Sequence, residues 1–300
     1  MGKAVKYRTT EDIVIDIIVY TVMIIVMIAT LYPFLNILAI SLNDALDSIR
    51  GGIYLWPRKF TLNNYRTILS NPNIYQATLI SVLRAVIGSF TNVLSCLMVA
   101  YGISRKDYIF RRFISRVIVF TMYFSGGLIP TYLLMKNLHL VGTFWVYILP
   151  GMVSAFNIIV IRSYIDGLPQ SLIESAKIDG ASEYRILFQI IMPLCLPVLA
   201  TVTLWVAVGQ WNAWFDTFLY NSGKPELSTL QFELQKILQS VQSASTNPDF
   251  SASLTSSGRT VTPTAIRATM TIVATLPILF VYPFLQRYFI HGLTIGSIKE

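Results

Sequence analysis

The sequence predicts an all-α integral membrane protein with six transmembrane helices, and three observations carry that prediction. Hydrophobic residues make up 54% of the 300 and charged residues only 13%, a balance outside the range of soluble domains. A hydrocarbon core about 30 Å thick takes roughly 20 apolar residues per helix, and six charge-free intervals meet that need: Ile17 to Asn43, Ala85 to Ser104, Val117 to Met135, Asn137 to Ile161, Ile186 to Phe215 and Ala268 to Gln286. A barrel would alternate apolar and polar residues in segments of about ten, whereas Ile24-Ile25-Val26-Met27-Ile28-Ala29 does not alternate.

Taken in order, a basic N-terminus, 1–12, precedes the first span at about 15–40. That run is far longer than a signal-peptide core and lacks a small-x-small cleavage site, so it is read as an uncleaved span. Further spans are expected at about 82–104, 115–135, 142–164, 187–214 and 268–288, all within a membrane domain of 13–289. Prolines at 33, 130, 150, 193, 197, 277 and 283 fall in or near them, where membrane helices tolerate proline. Between spans four and five lies a loop, 165–186; after span five comes a long segment, 215–266, and the chain closes with a tail, 290–300. Within the long segment Leu230, Leu234, Ile237 and Leu238 form a stripe at helical spacing, which predicts an amphipathic helix over 228–240. Ser240 to Thr260 is serine-rich and polar, as a linker is.

Orientation follows from Lys and Arg, which concentrate on cytoplasmic flanks. With the N-terminus inside, the inner segments hold 13 of the 23 basic residues, including Arg105, Lys106, Arg111, Arg112, Arg116, Arg162, Lys177 and Arg185. The outer segments spread nine over more residues. Both termini are therefore expected in the cytoplasm. The net charge of +8 then reads as a topogenic signal, with no nucleic-acid partner implied.

Catalytic chemistry finds no foothold. Cys96 and Cys195 fall inside spans as small apolar residues, and His139 and His291 stand far apart. Neither a paired-carboxylate site nor a zinc-protease motif is present, and the Gly-Lys pairs at Gly2-Lys3 and Gly223-Lys224 lack the phosphate-binding loop around them. No cofactor or metal is expected on this chain.

The orderly stretch is Ile173 to Pro197, at the mouth of span five. Gly167-Leu168-Pro169 ends the preceding helix, since proline disfavours the α conformation in the residue before it. Pro169 opens a new helix in its first turn, or stands ahead of a cap at Ser171. Gly180 offers a stop where positive φ costs little, and Ser182 can cap the helix that enters span five. Ser171 and Glu174 also fit a capping box, which leaves Glu174 a purely local role open.

The wider spacing resembles a known signature. Glu174-Ser175-Ala176, Gly180, Ile190 and Met192-Pro193 stand as in the EAA motif, E-A-A-x3-G-x9-I-x-L-P, of permease subunits of bacterial ABC importers; Ser175 for Ala and Met192 for Leu are departures conservative in size. Leu55-Trp56-Pro57, Phe60-Thr61-Leu62-Asn63-Asn64-Tyr65, Ala100-Tyr101-Gly102-Ile103-Ser104-Arg105, Ile178-Asp179-Gly180-Ala181 and Tyr288 to Gly296 extend the resemblance over nearly the whole chain, toward the carbohydrate branch of maltose-permease type. The resemblance implies a type I ABC importer permease with a cytoplasmic EAA coupling helix. It also implies that Glu174, Ser175, Ala176, Asp179, Gly180 and Ala181 couple the chain to a separate ATPase dimer, Glu174 facing a cation, Ala176 permitting close approach and Gly180 setting the helix angle. The further partners implied are a second homologous permease, an extracytoplasmic sugar-binding protein, a sugar and the lipid bilayer, in a bacterial cytoplasmic membrane. ATP and Mg would reside on the partner ATPase. The long outer loop is most like those of permeases for complex oligosaccharides.

For the sugar, Trp205, Gly209, Asn212 and Asp216 fall on one face at 100° per residue. An aromatic plate, a gap and two hydrogen-bonding groups suit a passing pyranose; an interfacial tryptophan belt is the competing reading, and Trp211 and Trp214 are assigned to that belt. Arg84, one residue before a charge-free interval, is expected to snorkel at the outer edge. A non-sugar importer permease and a secondary transporter remain as alternatives. The second predicts an intramembrane carboxylate and inverted repeats, and the spans show neither.

Overall fold

The computed structural model describes residues 10–246 and 262–296, with side chains described over 10–239 and 262–280 and at Pro283. Lys3, Lys6, Arg8, Arg259, Lys299 and most of the serine-rich linker lie outside the described residues, as do the side chains of Tyr288 to Gly296. The described chain is helical, its single bridge being Asn43 with Phe60. It forms two units, Met1–Ser70 with Ile237–Val273, and Asn71–Lys236 with Ala274–Glu300.

In the first unit α1 (Thr10–Ser41) opens with Glu11, Asp12 and Asp16, and from Ile17 to Leu35 carries mostly exposed apolar side chains, as a helix bathed in lipid does. It runs into a knot of buried polar groups. Asn43 donates to the Asp47 carboxylate (3.0 Å) and to Ser48 Oγ (3.0 Å), and its Oδ1 accepts from the Lys59 amide (2.8 Å). Arg58 Nε closes the knot on Asp47 at 3.0 Å. The short helices α2 (Ala45–Ile49) and α3 (Asn63–Leu69) flank it, and Asn64 from α3 donates to the carbonyls of Ser41 (2.9 Å) and Asn43 (2.8 Å).

The second unit is built on α4 (Pro72–Ser104), which starts under an Asn71 cap with proline in its first turn. Against it pack α7 (Ala155–Asp166) and α11 (Leu196–Asn212) around Cys96, Leu97, Ala100, Ile158, Ile161, Ile191 and Val202. Asn92 crosses this core, donating to the Gly151 carbonyl at 2.7 Å and accepting from Asn157 at 2.9 Å. Both asparagines are buried and satisfied, which removes the cost of placing amides there.

Three expected spans are broken rather than straight. α5 (Arg111–Tyr123) and α6 (Leu128–Asn137) meet at 118°, because Gly127 takes a φ of 86° between them. Two 3-10 turns, Phe144–Tyr147 and Leu149–Gly151, stand at 48° to α7. The stretch of α9 (Glu183–Ile186), a π turn (Leu187–Ile191) and α10 (Met192–Leu194) meets α11 at 80°. Pro193 and Pro197 each withhold an amide from the helical ladder there, so the axis is free to turn at Cys195. Among the described residues three helices are long and apolar enough to cross a membrane, and as many as six spans result if each bent pair is one. Beyond α11 come α12 (Phe215–Asn221), a 3-10 turn at Pro225–Leu227, α13 (Leu230–Thr246) and α14 (Pro263–Gly296). α13 bears out the amphipathic stripe, with Leu230 fully buried. The last helix continues through Gly296, so the first residues of the expected tail are helical. α4 starts ten residues before the expected boundary at 82, because Arg84 is an interior residue and not an edge.

Candidate coupling and translocation sites

The loop after α7 folds as a short helix and a tight turn. Leu168 and Pro169 leave α7, and α8 (Ser171–Ile178) begins with the Leu172 amide on the Pro169 carbonyl (3.3 Å) and the Ile173 and Glu174 amides on the Gln170 carbonyl (3.0 and 3.1 Å). The expected cap at Ser171 is not formed. Gln170 holds the cap position with helical angles and no side-chain bond, so Ser171 lies within the first turn and the capping box with Glu174 does not exist. Pro169, which has no amide to satisfy, opens the turn instead. Glu174 is left exposed on the helix surface.

Gly180 ends the helix with φ at 75°, its amide on the Lys177 carbonyl (3.0 Å) and the Ala181 amide on the Ala176 carbonyl (2.9 Å). This pair of bonds is a Schellman turn, which satisfies the last carbonyls and needs a left-handed residue. A Cβ on Gly180 would meet nothing within 4 Å, so the requirement for glycine there is conformational and not steric. Ser182 caps α9 through the Arg185 amide at 3.4 Å, as its position predicts.

The faces of α8 divide sharply. Ile173 and Ala176 are buried in the core of the second unit, so the small side chain of Ala176 serves close packing within this chain rather than an exposed docking face. Ser175 and Asp179 are exposed and Ala181 half-buried. Ile178 is 87% exposed and Tyr184 72%, two large apolar groups held out at the turn. Lys177 fastens the helix from beside, 3.2 Å from Asp107 and 2.9 Å from Glu183, while the Tyr101 hydroxyl donates to Glu183. The hydrogen bonds to Glu183 and Asp107 raise the Lys177 pKa above its ordinary value. That same bond from Lys177 lowers Asp107. Burial pushes Glu183 up, but bonds from Tyr101 and Lys177 outweigh it and hold the carboxyl below its usual range. A polar hollow of about 230 Å³ opens beside the helix, with Arg105, Asp107, Asp166, Gln170 and Glu174 in its wall. Asp107 and Glu183 were not singled out from sequence, and Tyr101 entered only within the stretch Ala100 to Arg105; charge in the loops before α5 and α9 was the available signal.

The proposed sugar face does not survive as one helical stripe. α11 ends at Asn212, Ala213 is extended, and Asp216 lies on α12. Its carboxylate is paired with Arg84, which is 3% exposed and so does not snorkel. Arg84 also donates to Gln210 Oε1 (2.8 Å) and the Ala213 carbonyl (3.2 Å), and its guanidinium lies 4.7 Å from the centre of the Tyr147 ring. Gly88 leaves the space for Gln210, because a Cβ there would stand 3.0 Å from its amide. A buried arginine is affordable only with such a set of partners. Trp205 is 45% exposed beside Phe156 (5.8 Å between ring centres), Gly209 is exposed, and Asn212 is exposed and accepts from Gln231 at 3.0 Å. Trp211 leaves the expected belt: it is buried, donating to the Ala274 carbonyl at 2.9 Å. The structure thus brings Arg84, Tyr147, Gln210 and Asp216 together, and leaves Trp205, Gly209 and Asn212 as the accessible part of the predicted face.

The chain is 36% identical over 284 residues, 95% of its length and 98% of the relative's, to the polygalacturonan/rhamnogalacturonan transport system permease protein YtcP of Bacillus subtilis. Its fold superimposes with a TM-score of 0.83 and 26% identity, over 94% of this chain and 99% of the other, on a chain of a bacterial ABC transporter involved in the import of the acidic polysaccharide alginate. A chain of a bacterial alginate ABC transporter in complex with an alginate pentasaccharide-bound periplasmic protein shares the fold at a TM-score of 0.54 and 14% identity, over 93% and 96% of the two chains. The model of the binding-protein-dependent transport system inner membrane component family matches residues 4–295. With its helices long and apolar enough to cross a bilayer, the chain is a multi-pass membrane protein and belongs to the binding-protein-dependent transport system inner membrane components, the permease subunits of ABC importers.

Proposed function

We propose that this chain is one membrane-spanning half of an ATP-driven importer for oligosaccharides, driven through α8 by a separate ATPase. The single observation that carries the reading is the build of that helix. Ile173 and Ala176 root it in the core, Lys177 ties it to Asp107 and Glu183, and Glu174, Ser175, Ile178 and Tyr184 are presented outward. A helix with no bundle to complete on its outer face, yet rigidly fastened on its inner one, is suited to receive a push and pass it on as a rigid body. The Schellman turn at Gly180 sets its angle to the helix behind, and Asp179 and Ala181 complete the turn.

ATP and Mg belong to the partner ATPase dimer in this reading, and the chain contributes no catalytic residue or cofactor of its own. A second, homologous permease completes the path, and an extracytoplasmic binding protein delivers the sugar. Support for an oligosaccharide comes from a relative named for polygalacturonan and rhamnogalacturonan and from neighbours solved as alginate transporters. Six crossings put both termini and α8 on the cytoplasmic side, where the basic residues cluster.

The test is reconstitution with the ATPase and binding protein in proteoliposomes. Glu174→Ala and Ile178→Asp should insert normally but lose ATPase retention on purification and the hydrolysis that binding protein stimulates. An impermeant thiol reagent applied to whole cells should miss a cysteine at 177 and reach one at 245. Full retention and stimulation in both variants, or labelling at 177, would overturn the reading.

A further inference from the structure

We propose that the segment Tyr54 to Phe60 is an interfacial membrane anchor, which beds its aromatic side chains into the lipid headgroup boundary at the C-terminal end of α1. The inference rests on α1 being a membrane span. Trp56 is 82% exposed, and Tyr54, Leu55 and Phe60 are exposed with it, an apolar display that a water-facing loop would not gain from. The display is built, not loose. The amide of Asp44 bonds to the Lys59 carbonyl (2.8 Å) and that of Thr61 to the Leu42 carbonyl (2.8 Å), and Arg58 is locked on Asp47 and on the Gly51 carbonyl (2.8 Å). These bonds hold the backbone while leaving the large side chains out.

The position of the loop identifies what it touches. Asn36, within α1, donates from its side chain to the carbonyls of Ile53 (2.7 Å) and Tyr54 (2.9 Å). Asn36 precedes the end of α1 by five residues, or about 7.5 Å at 1.5 Å per residue. The loop is thus folded back along the helix, and Tyr54 is held at a depth the span has already reached. Tyrosine and tryptophan favour that boundary, where an apolar ring meets a wet rim. Lys59 is exposed beside them, with an apolar stem and a charged head that suit the same boundary. A protein partner is the other class of occupant, but the Asn36 bonds set this patch beside the exposed apolar surface of α1, and with α1 a membrane span that surface faces lipid.

Quenching of tryptophan fluorescence tests the proposal in the assembled transporter, held in nanodiscs of phosphatidylglycerol and phosphatidylethanolamine. With bromine placed on the acyl chain close to the headgroup, the wild type should lose more emission than Trp56→Phe, and aqueous iodide should quench the two alike. Adding binding protein should leave that difference unchanged. A second variant, Ile25→Trp in the Trp56→Phe background, should be quenched by bromine near the chain ends, because Ile25 lies midway along exposed α1. If that control fails, α1 does not span and the proposal falls with that premise. Were the control to succeed while Trp56 emission answered to iodide instead of bromolipid, or became shielded only on adding binding protein, the loop is a water-facing or protein-binding surface and the proposal is wrong.

Discussion

Substituting Asp216 separates a structural ion pair from a sugar contact. Arg84 is 3% exposed and Asp216 26%, so removing the carboxylate strands a charged guanidinium that water cannot reach. Breaking a buried pair from one side costs about 3 to 5 kcal/mol. Because Asp216 is partly wet and Arg84 keeps Gln210 and the Ala213 carbonyl, the lower part of that range applies, about 3 to 4 kcal/mol for Asp216→Ala. Asp216→Asn keeps the shape and some hydrogen bonding and should lose about 1.5 to 3 kcal/mol, the worth of bonds to a charged group. Replacing both partners, Arg84→Met with Asp216→Leu, removes the stranded charge and should recover most of the stability of either single variant. The assay is thermal denaturation of the purified complex in detergent, followed by size-exclusion profile, beside sugar uptake in proteoliposomes. Heat stability should fall in the order wild type, Asp216→Asn, Asp216→Ala, with the double variant restored. If Asp216→Ala denatures at the wild-type temperature yet abolishes uptake, Asp216 serves the passing sugar and the reasoning from burial is refuted.

Gly180→Leu should cost about 1 to 2 kcal/mol through the left-handed backbone alone, since nothing crowds the site. Binding-protein-stimulated ATP hydrolysis should drop while Gly180→Asn, which tolerates positive φ, retains most of it. The Lys177 restraint has a pH window with two edges. The raised lysine contributes below its usual value of 10.5 and its contribution is lost as pH rises through the folded-state value. The lowered carboxyls of Asp107 and Glu183 contribute above their usual values of 3.8 and 4.5, and are lost as pH falls through the folded-state values. A nitroxide at position 178 should therefore keep constant mobility between about pH 5 and 10, loosen outside that window, and be mobile throughout in Lys177→Met. Equal mobility of the variant and the wild type at pH 7 would show that the lysine does not restrain α8. Trp205→Ala and Asn212→Ala should lower uptake several-fold with assembly and basal hydrolysis intact, and normal uptake by both would assign them to the interfacial belt.

Composition and charge-free length alone determined that the chain is helical and membrane-embedded, because a bilayer leaves a long apolar segment few ways to satisfy its backbone. Local chemistry determined the coupling turn nearly as well. Proline without an amide, serine at a cap and glycine at positive φ act over a few residues, and Pro169, Ser182 and Gly180 behave as their neighbours in sequence require. What needed the tertiary structure is where distant side chains meet. Arg84 read as an edge residue because its carboxylate lies 132 residues away on another helix, and no periodicity carries that distance. The same break that isolates Asp216 on α12, after Ala213, undid the face drawn through Trp205, Gly209, Asn212 and Asp216, since a 100° step holds only while the helix is unbroken. Ala176 and Trp211 carry small and aromatic side chains that suit an exposed contact as well as a core, and only packing, into the bundle beside Ile173 and onto the Ala274 carbonyl, decided between them.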